Sequence, residues 1–456
     1  MNTQLADGIS GIAQRQLALG LALAFVAMGV CTAGHASPAA HTVNNCNDSG
    51  AGSLRATIGE PTTLSGDTVN FNTPLGCSAI TLTTGEIVVT QSSLIVTGPG
   101  ADVLSIDGNF NGRVMRHSGG GTLTLSGLTI THGKYASNSI AAGGCLVSNG
   151  SIALNNSKVL SCVANAKGDA SAYGGGVFTV HDLTLANSRI AYNTAVGAAN
   201  QTHFVKALGG GAKVSGNLQV TYSTISNNSA TTPDLRGFGG GLYTNGNATV
   251  GHTTIASNHA DQSGGWSATA NTPSTVSIAD STLSGNSARN IAGMQCRVPL
   301  TLSNSTVAFN QAEYEFGGLY VSNTLVLQSS IVAANIVQFP IGPGTEGDLN
   351  GPATLVVSGF NSLVTSSPVA LPPDTLTACP KLGPLADNGG PTLTHALLHN
   401  SPAINHGNSE LYPVNDQRGP GFTRLFGNGV DIGAYEWHGT PDDRLFVSRF
   451  ESTCDN

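Results

Sequence analysis

One spaced pattern of apolar residues recurs eight times between residues 123 and 337, at intervals of 24 to 35 residues. From its first apolar residue, the pattern has a second at plus two, a third at plus seven and usually Asn at plus ten. Its starts are Leu123, Ile152, Leu183, Leu218, Ala248, Val276, Leu300 and Leu325. A glycine cluster usually separates one repeat from the next. Such regular recurrence restricts the chain to a stacked architecture.

Short strands joined by polar corners explain this pattern, because apolar residues alternate and no helical period competes with them. The repeat length varies too much for propeller blades, so it indicates a solenoid. One coil cannot bury its apolar face alone, whereas coils stacked roughly 4.8 Å apart close a continuous core. We therefore expect an all-β fold, a single parallel β-helix of about ten or more coils. The 40% apolar content in strict register argues against disorder.

The residues at plus ten predict a stacked column of side-chain amides. Its members are Asn193, Asn228, Asn258, Asn286, Asn310 and Asn335, while Gly133 and Cys162 occupy the position in the first two repeats. Each satisfied amide bond contributes about 1 kcal/mol net, less than a buried aliphatic side chain. The column therefore sets register, and the aliphatic stack supplies most of the stability.

Composition and the N-terminus indicate an exported protein that does not bind nucleic acid. The net charge is −8 and only 10% of residues are charged. Arg15 precedes an apolar run over residues 17–30, and Gly34 and Ala36 suit cleavage before Ser37. Residues 1–36 are thus predicted to be a secretory signal. We expect no transmembrane segment in the mature chain and a location outside the cell or in its envelope.

Cysteine content agrees with export, since disulfides persist in oxidising compartments. A lipid anchor at Cys31 is the alternative to cleavage after Ala36, but Val30 stands where a small residue is needed. Removing Cys31 with the signal leaves seven cysteines, so one thiol should be unpaired. We expect Cys296 to be that buried, inert thiol. The candidate pairs are Cys46 with Cys77, Cys145 with Cys162 and, by elimination, Cys379 with Cys454.

Both ends of the solenoid need covering, because open sheet edges are prone to aggregation. Residues 37–66 are predicted to form an N-terminal cap with a short helix near 53–58. The β-helix is expected over 67–366, beginning with irregular coils whose strands lie near 68–71, 80–83, 87–90, 94–97 and 103–106. A Pro-rich stretch then precedes a C-terminal cap over 367–437, with a short helix near 394–399, and a loosely attached tail over 438–456.

Three stretches resemble known families of secreted bacterial proteins. Residues 47–55 (NDSGAGSLR) resemble the opening of right-handed parallel β-helix proteins with a pectin-lyase-like fold. Glycine pairs followed by segments such as Ile225 to Asn228 and Val307 to Asn310 resemble polymorphic outer membrane protein repeats. Residues 384–436, ending in VDIGAYE, resemble the choice-of-anchor Q domain. The resemblance implies a right-handed β-helix in the cell envelope but no particular active site, because this fold hosts lyases, hydrolases and adhesins.

Catalytic candidates are few. Enzymes on this fold need carboxylates on neighbouring coils, either to hold Ca²⁺ or to transfer protons, and lyases add a nearby cation. Asp234 and Asp261 lie on adjacent coils with Arg236 beside them, which makes the best cluster of this kind. The alternative is that all three are solvated loop charges. We expect no cofactor or metal, except Ca²⁺ if the chain is a lyase.

Ligand-binding candidates concentrate where the repeats differ. Insertions over 194–208 and 229–238 should emerge on one face and form a raised rim or groove. Aromatic and histidine side chains near these loops could stack on sugar rings, or could instead shield the core. They are Tyr173, His203, Phe204, Phe238 and Trp266, with Phe316 at the position that Tyr173 and Phe238 share in their repeats.

Polar groups of the C-terminal cap are expected to be structural. His395 and His399 have the spacing of a helical zinc pair, but Ala396 replaces the glutamate that a metalloprotease needs. Arg418, Asp431 and Glu436 are expected to form an ion pair that joins polar turns.

Three functions remain open from the sequence. The first is a non-enzymatic, monomeric surface protein that displays loops for adhesion or for binding a polysaccharide or cell-envelope component. The second is a lyase or hydrolase acting on an acidic polymer, and the third is a structural spacer of the envelope.

Overall fold

Each repeat folds into one coil of a parallel solenoid and adds one strand to every sheet. The computed structural model describes residues 37–199, 205–270, 273–339, 347–408 and 414–439. The predicted signal, most of the tail, His203, Phe204 and Cys454 lie outside these ranges. The described residues from Pro38 onwards belong to one compact unit.

Two long sheets carry the apolar pattern, and within each all neighbouring strands are parallel. Sheet A holds the plus-two positions in strands Ala40–Val43, Thr68–Phe71, Leu94–Thr97, Thr122–Ser126, Ser151–Asn155, Leu183–Ala186, Leu218–Thr221, Ala248–Gly251, Val276–Ala279, Leu300–Ser303, Thr324–Gln328 and Val356–Phe360. Sheet B holds the plus-seven positions in strands Ala79–Thr81, Ser105–Asp107, Thr129–Thr131, Lys158–Leu160, Arg189–Ala191, Thr224–Ser226, Thr254–Ala256, Thr282–Ser284, Thr306–Ala308, Ile331–Ala333 and Leu363–Val364.

Three further sheets complete the coils. Sheet C follows the glycine clusters, with strands Ile87–Val89, Met115–His117, Leu146–Ser148, Val177–Thr179, Ala212–Val214, Leu242–Thr244, Trp266–Ala268, Met294–Cys296, Leu319–Val321 and Leu349–Asn350. Sheet D follows the plus-ten residues, with strands Lys134–Ser137, Val163–Ala166, Thr194–Val196, Ser229–Thr231, His259–Ala260, Ser287–Ala288, Gln311–Ala312 and Ile336–Val337. Sheet E is short, with strands Ala141–Ala142, Ala172–Tyr173, Ala207–Leu208 and Gly237–Phe238.

The predicted parallel solenoid is confirmed. All sixteen aliphatic residues at plus two and plus seven are at most 1% exposed, and they join one core that runs from Val43 to Val364. The irregular first coils also have strands at or near the predicted positions. A second column, of hydroxyls at plus five, links consecutive coils: the amide of Ser188 donates to Oγ of Ser223, for example. Register is therefore set by polar columns as well as by the core.

The amide column forms over the whole predicted length. Nδ2 of Asn228 donates to the carbonyl of Ile190 on the preceding coil and to Oδ1 of Asn258 on the following coil. The same two bonds recur at each Asn of the column. Asp348 ends the column, since its Oδ1 accepts from both the amide and Nδ2 of Asn335.

At two corners of each coil, the chain turns through a residue with a left-handed backbone conformation. At plus four and plus nine the backbone φ is positive, as at Asn187 (48°) and Tyr192 (59°) of one coil. The glycine clusters are required by close packing between coils. A Cβ on Gly210 would lie 2.4 Å from the carbonyl oxygen of Gly240, so a larger residue would separate the coils there.

The N-terminal end is covered as expected by helix Leu54–Gly59, in which Leu54 and Ile58 face the core. Oγ of Ser53 caps this helix by accepting from the amide of Ala56. Cys46 forms its predicted disulfide with Cys77 beside this end.

The remaining cysteines mostly follow the prediction. Cys145 and Cys162 are bonded, and the amide of Cys162 donates to Oδ1 of Asn193, so this disulfide continues the amide column. Cys296 is a free, buried thiol whose pKa is raised by burial to about 12, which makes it inert. Cys454, the expected partner of Cys379, lies outside the described residues.

The C-terminal segment departs from the expected arrangement. Val369 and Leu371 pack against the end of the core, but the chain then returns along the outer face of sheet B. The predicted helix near 394–399 is wrong: strand Thr394–Leu397 pairs antiparallel with Leu382–Ala386. A strand forms because alternate side chains there reach the outer face of sheet B. Strands Leu425–Phe426 and Gly429–Val430 form a second antiparallel pair.

Within the described residues, no helix is long and apolar enough to cross a membrane.

Candidate functional site

The acidic cluster proposed from the sequence is divided between two environments. Asp234 is exposed, whereas Asp261 is only 7% exposed and its Oδ2 accepts from the backbone amides of Thr232 and Gly237. Asp261 therefore closes the base of the loop over 232–237, which carries Asp234 and Arg236. Burial raises the pKa of Asp261. Because its carboxylate accepts these two hydrogen bonds, Asp261 has a structural role in holding the loop.

The aromatic candidates also differ in exposure. Trp266 is fully buried, and its Nε1 donates to Oγ1 of Thr244, so the expected role in ligand binding is wrong for this residue. It is the first residue of its strand and pairs in register with Leu242, an inward position. Tyr173 and Phe238 are half-buried and remain accessible in part.

Two consecutive coils form a cleft of about 560 Å³ on the outer side of sheet C. It is lined by Ile291, Gln295, Arg297, Glu315, Phe316, Tyr320 and Ser322. Ile291 bridges Phe316, and Gln295 pairs with Tyr320, so each coil contributes equivalent positions. The alternation of the sheet C strand turns Gln295 and Tyr320 outward, while Met294 and Cys296 fill the core.

A pair of stacked rings forms one wall of the cleft. The centroids of Phe316 and Tyr320 are 5.0 Å apart, with an interplanar angle of 21°. Both side chains are half-buried, so part of the ring surface is accessible to solvent. Flat aromatic surface in an open cleft suits the apolar faces of sugar rings.

The charged groups of the cleft are not paired with each other. Arg297 is exposed, and no other side chain in the described ranges forms a hydrogen bond or ion pair with its guanidinium. Oε1 of Glu315 accepts from Nδ2 of Asn290 at 3.2 Å. Burial raises the pKa of Glu315, which favours its neutral form. The cleft thus offers a guanidinium without a side-chain partner among the described residues and a carboxyl group whose Oε1 accepts from Asn290.

A polar row connects the cleft with the loop over 232–237. Nδ2 of Asn290 also donates to Oε1 of Gln262 at 3.0 Å, and Nε2 of Gln262 donates to the carbonyl of Leu235 at 2.6 Å. Gln262, Asn290 and Glu315 each precede one member of the bridged column Ser263, Ile291 and Phe316. The insertion predicted to form a rim is therefore physically linked to the cleft.

This set of groups can hold and orient a polyhydroxylated ligand by stacking, hydrogen bonds and one charge. No group of three or more His, Cys, Asp or Glu side chains is placed to hold a metal ion within the described ranges. Among the described residues that line the cleft, Glu315 carries the one carboxyl group.

The buried charges of the C-terminal segment have structural roles. Arg418 pairs with Asp416 at 2.6 Å rather than with the expected acids, and it donates to the backbone carbonyl of Glu436. Asp431 instead accepts from the backbone amides of Asn405 and Trp437. These carboxylates satisfy the irregular backbone of the segment, which local sequence spacing cannot reveal.

The histidines of this segment do not form a metal site. Nε2 and Nδ1 of His395 hydrogen-bond Oγ of Ser284 and the carbonyl of Gly383, each at 2.7 Å. His399 lies beside the ring of Trp437. Burial lowers the pKa of His395 to about 4, so the ring is neutral and joins the segment to sheet B.

Sequence reasoning missed Gln295, Arg297 and Tyr320, although Phe316 was noticed beside its glycines. Aligning the strands that follow each glycine cluster would have identified these positions. The second residue of each strand must point outward when the first and third are apolar. Phe178, Lys213 and Tyr243 occupy that same column on earlier coils.

No family model and no curated protein matches the chain. Among solved structures, the crystal structure of pectate lyase Pel9A is similar, with 14% sequence identity and a TM-score of 0.46. The match covers 89% of this chain and 98% of that one. The solenoid architecture itself follows from the strand register described above.

Proposed function

We propose that this chain is an exported β-helix protein that binds a saccharide at the cleft between its late coils, without catalysing its cleavage. The observation that carries the proposal is the stacked pair of Phe316 and Tyr320 in the same cleft as Arg297, whose guanidinium has no side-chain partner in the described part of the chain. Stacked rings and a free cation are the groups that a sugar bearing an acidic substituent requires.

The cellular setting proposed from the sequence completes this function. Residues 1–36 would direct export, and the resemblance of residues 384–436 to the choice-of-anchor Q domain and of the repeats to polymorphic outer membrane proteins supports a place at the cell surface. A monomer that displays its cleft and loops there would act in adhesion or in contact with envelope polysaccharides. Fusion of residues 1–36 to a reporter lacking its own signal tests the export step directly.

Binding can be tested on the purified mature chain with a glycan array, followed by calorimetry on the strongest ligand. Tyr320→Ala should weaken binding about tenfold or more, because a stacked ring contributes roughly 1.5 kcal/mol. Phe178→Ala is the matched control: its ring occupies the same outward column of sheet C five coils away. Equal losses in both variants, or an array without any bound glycan, would reject the proposal and favour a structural spacer.

A polysaccharide lyase or hydrolase is the second candidate, and Asp234, Arg236 and Asp261 would then be its catalytic group, with Ca²⁺ as a possible cofactor. Its weakness is that the Asp261 carboxylate already binds two backbone amides. Assays on a panel of uronate polymers, with Asp234→Ala as the matched variant, separate the two functions. Cleavage that disappears in this variant would establish the enzyme.

A further inference from the structure

The column of bridged residues that lines the cleft continues along the solenoid to the loop over 232–237, and this column is called the track below. Phe238, Ser263, Ile291 and Phe316 are bridged consecutively, so they occupy one column on four successive coils. Three coil steps of about 4.8 Å separate the two phenylalanines by roughly 14 Å along the axis. Ser263 and Ile291, at 0% and 5% exposure, form a low floor between the half-buried rings.

The polar row of Gln262, Asn290 and Glu315 runs beside the last three members of this column. Each amide is held by its neighbour: Asn290 donates to both Gln262 and Glu315, and Gln262 donates to the carbonyl of Leu235. These side chains are half-buried and already oriented, so they can meet ligand hydroxyls with little loss of conformational entropy.

The loop over 232–237 is fixed at the far end of the track. Asp261 accepts from the backbone amides of Thr232 and Gly237, and the amide of Arg236 donates to Oγ1 of Thr232. Phe238 follows this loop directly, so its ring position is set by the same clamp. A ligand at Phe238 would therefore meet a rigid subsite.

We propose that the ligand is a linear saccharide chain that lies parallel to the solenoid axis, with one end at Phe316 and Tyr320 and the other at Phe238. The inference rests on the proposed saccharide binding and adds to it a second subsite at Phe238 and Gln262. It also fixes the ligand class as an oligomer or polymer, because a single sugar or a disaccharide cannot contact both rings.

Calorimetry with two length series tests the track: oligogalacturonates as acidic chains and cello-oligosaccharides as neutral chains, each from the dimer to the hexamer. In the series that binds, the hexamer should have a Kd about tenfold lower than the dimer. Phe238→Ala should remove that difference, whereas Phe316→Ala should weaken binding of every length. Phe238→Leu, which keeps apolar volume for packing, should behave as Phe238→Ala does.

Each negative result would reject a different part of the proposal. Equal affinity for dimer and hexamer, or a length effect that survives both Phe238 variants, would overturn the track while leaving the cleft as a binding site. A length effect abolished equally by Phe178→Ala would also overturn it. Absence of binding at every length in both series, together with an empty glycan array, would overturn saccharide binding itself.

Discussion

Glu436 shows how a single buried carboxyl can make this protein sensitive to pH. One of its oxygens accepts from the backbone amide of Asp431, while Oε1 has no partner in the described residues. Burial, with a smaller contribution from the charge of Asp431, raises the pKa of Glu436 from 4.5 to about 8. The group is therefore protonated in the folded protein at neutral pH.

The contribution of Glu436 to stability should fall as pH rises from about 4.5 to about 8, because the unfolded chain releases the Glu436 proton in that interval and the folded chain retains it. Glu436→Gln should remove this slope and unfold at a higher denaturant concentration than the parent at alkaline pH. Urea unfolding across this pH range measures both effects. The exposed glutamate variant Glu313→Gln is the control, and identical slopes in the parent and Glu436→Gln would contradict the expectation.

At single positions, sequence reasoning succeeded where periodicity applied and failed elsewhere. The inward position of Cys296 followed from its alignment with Val321. The same alignment places Trp266 inward beside Leu242, yet its neighbouring glycines suggested an exposed ring. The clamp made by Asp261 was not predictable, because loop conformation has no repeating pattern to align.

Among the structural elements, the amide column is the one that sequence spacing predicts most fully. Each Asn forms bonds to both neighbouring coils. An interior Asn of the column therefore adds more to the free energy of unfolding than an exposed Asn does. The end of the column at Asp348 was missed, since its spacing of 13 residues from Asn335 departs from the repeat length. Spacing identifies regular members of a column but not its irregular end.

Asn258→Ala should destabilise the protein by about 2 to 4 kcal/mol, because it removes buried bonds and leaves Nδ2 of Asn228 short of a partner. Asn247→Ala is the control: this amide is exposed and bonds Asn217 on the surface, so its loss should cost less than about 1 kcal/mol. Guanidinium unfolding measures both variants. Similar costs would show that the buried column adds nothing beyond local packing.

On the scale of the whole molecule, the C-terminal segment is attached to the side of the solenoid by polar contacts together with a buried apolar cluster. Three threonine hydroxyls surround the amide of Gln417, and Arg424 pairs with Asp280 across the contact at 2.6 Å. The hydrogen-bonding and charged partners on the solenoid are more than a hundred residues away in sequence, so no periodic pattern in the sequence indicates that they are in contact. The sequence consequently indicated a cap at the end rather than a band along sheet B.

Arg424→Met should cost about 3 to 5 kcal/mol, since it leaves the buried carboxylate of Asp280 without its cation. Combining it with Asp280→Asn should recover much of that loss, because Asn is neutral and tolerates the positive φ of 44° at this corner. Unfolding curves and the rate of proteolysis within residues 382–408 measure both effects. A double variant no more stable than Arg424→Met would mean that the charge pair is not what attaches the segment.

The way in which two coils build the cleft bears on how such proteins diversify. Each wall comes from the same set of positions on successive coils, so duplicating the DNA for one coil would copy a complete wall along with its supporting strands. The copy would enter the stack in register, since every coil presents the same hydrogen-bonding edge to its neighbour. New binding surfaces can therefore arise here by changes in gene length, without prior remodelling of an interior.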